Sequence, residues 1–321
     1  MKKLILLIFL LVSVLSVAKD EITVYGPESM KWIATDVAPL FKADTGIDIN
    51  YVGIKGVVPR MKLEARRPKA DVVIGLTQVD AAIAKREGLI AAYKPATADR
   101  IAKEEFIMDP EWHSTPFDYG AMAINYNAQE LKEVPASFED IKKMERSLIL
   151  PGPDSSTGKE FMLWTIALYG DKWLEFWDEM KPAVLTVTPG WNESFAKFTA
   201  GEAPMMAGYA SSSVYFYQGG DADRYASFIP REGGYIYLEG ASLVKKKEIK
   251  DGAKMFMDYI LKDEFQKMLA AKNYMFPVTD VELPEDYKYV PVPEKVVTID
   301  GEEALENLDK WKKELSSLLK N

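Results

Sequence analysis

The sequence contains no cysteine and a single histidine, His113. The first absence removes a disulfide framework, thiolate nucleophiles, cysteine metal sites and a lipid-acylated cysteine anchor together. The second removes paired-histidine metal motifs and leaves His113 as a loop residue without a catalytic task. No Gly-x-Ser-x-Gly elbow occurs. The stretch 152–159 has a phosphate-loop look, but five residues separate its glycines where four are needed, and Glu160 stands where a hydroxyl residue belongs.

Apolar runs that could span a bilayer are also missing. The longest, residues 4–15, falls short of the ~20 residues a spanning helix requires. It follows Met1-Lys2-Lys3 and precedes Ser16-Val17-Ala18, the order of a cleavable secretory signal over residues 1–18. Export without a lipid anchor then implies a free periplasmic protein, expected as a monomer. Positive charge is in deficit: 40 Lys and Arg face 49 Asp and Glu, a net charge of −9, and about −11 once Lys2 and Lys3 leave with the signal. Nucleic acid is set aside as a partner. The acidic field favours a cationic ligand, and it equally keeps an exported chain soluble.

What is present is a strand and helix alternation. Ile22-Thr23-Val24-Tyr25, Asp48-Ile49-Asn50-Tyr51-Val52 and Asp71-Val72-Val73-Ile74-Gly75 read as strands, with helices expected near 32–41, 58–66 and 78–87. That pattern predicts an α/β fold with a mixed, mostly parallel sheet flanked by helices. Pro116-Phe117-Asp118-Tyr119-Gly120 interrupts it, a second alternation runs from Ala121 to about Gly220, and Gly233-Gly234 precedes an extended return. The length exceeds what one core usually organises. Two lobes are therefore expected, 19–117 with 239–321 and 118–238, hinged near 116–120 and 234–240. The tail 302–320 carries an apolar stripe with charges of both signs elsewhere, a docking helix rather than a membrane-surface one.

In such sheets ligands sit beyond the carboxyl ends of the strands. The aromatics near predicted loop ends, Trp32, Tyr119, Trp191, Tyr209, Tyr215, Tyr217 and Tyr274, can line a cleft and hold a flat or cationic ring, or simply pack in the core. Ser155, Ser156 and Thr157 form a hydroxyl-rich turn ahead of a helix; with Lys159 it suits an anionic group, or is an ordinary cap.

Five segments then carry a resemblance: Ile22-Thr23-Val24-Tyr25, residues 69–76, Pro116-Phe117-Asp118-Tyr119-Gly120, Thr186-Val187-Thr188-Pro189-Gly190-Trp191, and Asn273-Tyr274-Met275-Phe276-Pro277-Val278. The chain resembles the thiamine-binding proteins of bacterial ABC importers, within the two-lobed type II periplasmic binding-protein class. The resemblance implies thiamine, thiamine monophosphate or thiamine diphosphate held in an interlobe cleft, and delivery to an inner-membrane permease, with no further cofactor and no metal. It also implies that Trp191 and Tyr215 stack on the ligand, that Tyr209 and Tyr274 are further cleft aromatics, that Ser155 is a polar or phosphate contact, and that Gly56 approaches through its backbone. Lys55 suits a phosphorylated ligand. Two alternatives stay open: ferric iron on Tyr209, Tyr215 and Tyr217, or an exported hydrolase using Asp71, Asp118 or Asp154.

Overall fold

The computed structural model describes residues 20–299 and 301–320; the expected signal segment lies outside them. Strands β1 (Glu21–Gly26), β2 (Asp48–Gly53) and β3 (Val72–Thr77) alternate with helices α1 (Ala38–Thr45), α2 (Val57–Glu64) and α3 (Gln78–Arg86), followed by the short β4 (Ile90–Ala91). Val72, Val73 and Ile74 are fully buried. An unbroken apolar run of this kind is what a strand covered on both faces requires. The helix expected over 32–41 is instead a π-helical turn, Ile33–Val37, leading into α1. Pro39 has no N–H for the regular ladder there.

The long strand β5 (Thr115–Asn127) opens a second unit. It continues through α4 (Phe138–Ile141), β6 (Leu148–Pro151), α5 (Ser156–Tyr169), α6 (Trp173–Met180), β7 (Val184–Thr188), α7 (Trp191–Thr199), β8 (Met205–Tyr209), α8 (Ser212–Gln218) and β9 (Tyr225–Phe228). Strand β10 (Gly234–Val244) leads back to α9 (Asp251–Tyr259), α10 (Asp263–Asn273), β11 (Phe276–Pro277), β12 (Val296–Val297) and α11 (Gly301–Lys320).

The strands order as β2-β1-β3-β10-β5-β8-β6-β7. Pairing is parallel within β2-β1-β3 and within β8-β6-β7, and antiparallel from β3 through β10 and β5 to β8. Two parallel wings therefore join through two long antiparallel strands. The first half of β5 pairs with β10 and β11, its second half with β8 and β9. Pro116-Phe117-Asp118-Tyr119-Gly120 is thus no interruption: it is the body of a strand, tolerated because Pro116 sits at its start.

Each wing has its own aromatic packing. Phe41, Phe256, Tyr259, Phe265 and Trp32 meet in the first. Phe138, Phe161, Trp164, Phe176 and Trp177 meet edge-on in the second, where the two buried indoles donate to Gly233 O and Thr165 Oγ1 at 2.8 and 2.9 Å. Helix α11 buries Ala304, Leu305, Leu308, Trp311 and Leu315. It packs on α3 of the first wing and on α5 and α6 of the second, so the tail braces both units rather than one.

Candidate ligand-binding site

The loops after the first three strands converge, as their strand ends require. Tyr51 Oη donates to Pro27 O at 2.6 Å, and Ile54 N to Gly26 O at 2.9 Å. Gly75 has φ +79°, and a Cβ there would lie 2.7 Å from Pro27 Cδ, so only glycine fits. Gly56 caps α2 in the left-handed region at φ +69° and is exposed beside Lys55.

On the second wing, Ser155 Oγ donates to Gly152 O at 2.7 Å and accepts from Gly158 N at 3.1 Å, the geometry of an N-cap. A Cβ on Gly158 would lie 2.0 Å from Gly152 O, so this turn closes only around glycine. Gly190, the residue before α7, lies beside Ser155. Two helix starts, those of α5 and α7, therefore sit side by side.

From α7 runs a row of rings. Trp191 stacks on Phe195 at 4.7 Å and 12°, Phe195 meets Tyr215 edge-on at 5.6 Å, and Tyr215 meets Tyr274 at 6.2 Å. Trp191 is half-buried and its Nε1 has no protein partner; Tyr215 is 46% exposed. Tyr274 ends α10 at φ +56°. A bulky residue in that region is strained, a condition that clusters at functional positions. Tyr209 Oη pairs with Thr157 Oγ1 at 2.7 Å, and its ring lies 5.6 Å from that of Tyr237. Burial raises the Tyr209 pKa, so the phenol stays protonated.

The structure thus brings together Ser155, Thr157, Trp191, Tyr209, Tyr215 and Tyr274. Ser156 is exposed on the same turn. Trp32 does not join them: it is 7% exposed and packs on Phe265 in the core of the first wing. Lys159 does not face the turn either. Its Nζ donates to Thr77 Oγ1 at 3.1 Å and Asp80 at 2.9 Å, tying α5 to α3. Burial lowers its pKa, but Asp80 and Glu160 more than offset this and hold it charged. Tyr119 is stacked between Phe106 and Phe276. Sequence reasoning passed over Phe195, although it stands one helical turn from Trp191, and over Tyr237 and Glu239 on β10.

The alternatives lose their constellations. The three tyrosines proposed for iron have separate partners, since Tyr217 stacks on Tyr289 at 4.5 Å while Tyr209 bonds Thr157. Asp71 accepts from Lys246 at 2.6 Å, Lys250 at 3.0 Å and Thr23 N at 2.9 Å just before β3, Asp118 is buried on β5 against Asn273, and Asp154 is exposed. Asp109, Glu111 and His113 cluster among the described residues, but Lys85 bonds both carboxylates, at 2.8 and 2.6 Å. A cavity of about 450 Å³ adjoins that loop between α3 and the start of α11, and one of about 260 Å³ lies near Tyr25 and Lys69; neither includes the ring row.

Residues 67–307 match the family model described as bacterial extracellular solute-binding protein. The chain belongs to that family. It is 30% identical to a thiamine-binding periplasmic protein of Brucella abortus over 97% of both chains. A solved periplasmic thiamin binding protein superposes with a TM-score of 0.86 at 27% identity, covering 95% of this chain and 98% of that one. The apo ferric ion-binding protein A of Pasteurella haemolytica superposes at 0.81 with 18% identity, over 93% and 98%, a likeness of fold alone. The two-lobed type II class inferred from the sequence is therefore the fold of this solute-binding protein. No helix among its described residues is long and apolar enough to cross a membrane.

Proposed function

We propose that the protein captures thiamine or one of its phosphates between the two wings, in the periplasm, and hands it to an ABC permease without any covalent step. The observation that carries this reading is the row Trp191, Phe195, Tyr215 and Tyr274 beside the paired starts of α5 and α7. Stacked and edge-on rings suit a flat heterocycle and attract a ring that carries positive charge. Amides at a helix start suit a phosphate, and exposed Lys55 adds a cation beside Gly56 at the start of α2. The name of the Brucella relative agrees with that chemistry.

Closure is a rotation of one wing on the other through β5 and β10, the positions expected as hinges near 116–120 and 234–240. Lys159, reaching from α5 to Thr77 and Asp80, is a contact such a rotation must keep or break. Titration calorimetry with thiamine, its monophosphate and its diphosphate tests the reading. Saturable heat with at least one of the three is expected; no heat and no thermal shift with any of them overturns it.

A further inference from the structure

At the centre of the sheet, where the wings meet, β10 places Glu239 directly opposite Thr77 of β3 on one side and Asp118 of β5 on the other. The β10 register shifts beside it on both sides, between Glu239 and Gly240 against β5 and between Gly240 and Ala241 against β3. Such bulges re-aim a side chain, and Gly240 permits them, since a Cβ there would lie 2.2 Å from Ser114 Oγ. Glu239 follows Tyr235 and Tyr237 on one face of the strand. That is the face of the Tyr209–Tyr237 ring contact.

The surroundings are rich in acid. Asp80 from α3, Glu160 and Lys159 from α5, and Asp118 from β5 face Glu239, with Tyr51 of β2, Tyr209 of β8 and Tyr237 of β10 close enough to feel its charge. The one cation facing it among the described residues, Lys159, is already engaged by Thr77, Asp80 and Glu160. Glu239 is half-buried, and among the described residues no hydrogen bond or ion pair reaches its carboxylate. A carboxylate held this way lacks a positive partner.

We propose that Glu239 supplies the negative charge that selects a cationic ligand, an inference that rests on the reading of the cleft given above. Burial first, then the nearby Glu160 and Asp80 carboxylates, push its pKa up to about 7. In the unliganded protein the carboxyl is therefore largely protonated below neutrality. A bound cation favours the ionised form, so capture releases a proton, and affinity is full above pH 7 and lost as pH falls through it. For a single such group the affinity rises about tenfold between pH 6 and pH 8.

The test titrates wild type, Glu239→Gln and Glu239→Asp with thiamine at pH 6 and pH 8, in buffers of different ionisation enthalpy so that released protons are counted. Wild type is expected to release close to one proton at pH 6 and to bind about tenfold more tightly at pH 8. Glu239→Gln should bind at least tenfold more weakly at pH 8 and show a flattened pH dependence between pH 6 and pH 8. Glu239→Asp should recover part of both, and thermal unfolding of each variant reports folding separately. Equal affinity of wild type and Glu239→Gln at pH 8, or an unchanged pH profile in Glu239→Gln, overturns the proposal. A second probe, N-methylpyridinium followed by NMR, separates the two readings. If it binds in a Glu239-dependent way while the thiamines do not, the ligand reading fails and the charge-selection proposal stands; if neither binds, both fail.

Discussion

Replacing Trp191 with alanine distinguishes a ring that holds ligand from a ring that holds the fold. Its indole lies parallel to Phe195 at 4.7 Å, a pair worth about 0.5–1.5 kcal/mol beyond its buried area. Because the side chain is only half-buried, the fold should lose about that amount rather than the ~3–5 kcal/mol of a fully enclosed Trp→Ala change. A ligand ring stacked on the indole loses ~1–3 kcal/mol on truncation, about 5- to 150-fold in Kd. Calorimetry measures the affinity, and thermal unfolding without ligand measures the fold. The expected result is a large loss of affinity with a small fall in Tm. Unchanged affinity together with a Tm loss of core size would refute the reasoning and return Trp191 to the core.

Lys159→Met should destabilise the protein by about 3–5 kcal/mol, because it leaves Glu160, 2% exposed, and Asp80 without their cation; urea unfolding measures it, and an unmoved midpoint would show that the tie between α5 and α3 contributes nothing. Gly75→Ala should cost about 1–3 kcal/mol, since the backbone at φ +79° is strained for alanine and the new methyl meets Pro27; wild-type stability in the same assay would contradict it. Burial raises the pKa of Asp71, but hydrogen bonds from Lys246, Thr23 N and Lys250 together bring it below the ordinary value. Its stabilisation is therefore full above the unfolded value of about 3.9 and disappears as pH falls through the lower folded one. Asp71→Asn should flatten this part of the acid-unfolding curve, and an identical curve would show that the cluster contributes nothing.

Much of the architecture was legible because it is written in local pattern. The apolar run of β3, the alternation around it and the striped tail each declare themselves within a dozen residues. The ends of the two crossing strands were not legible, because Pro116 reads as a break until its place at the start of β5 is known. Trp32 and Trp191 look alike in sequence, each near small polar residues. What separates them is Phe265, far along the chain, which covers the first. Lys159 seemed to belong to the hydroxyl turn, but the helix that Ser155 caps turns it inward toward Asp80. Glu239 gave no local sign, since the groups that set its charge come from α3 and α5, far from it along the chain.

The central claim, capture of a flat and positively charged thiamine-type ligand, is tested most directly by mass spectrometry of what the natively purified protein carries. The account predicts thiamine or a thiamine phosphate released on denaturation, in up to one copy per chain. Recovery of ferric iron, or of a solute without a heteroaromatic ring, would contradict it.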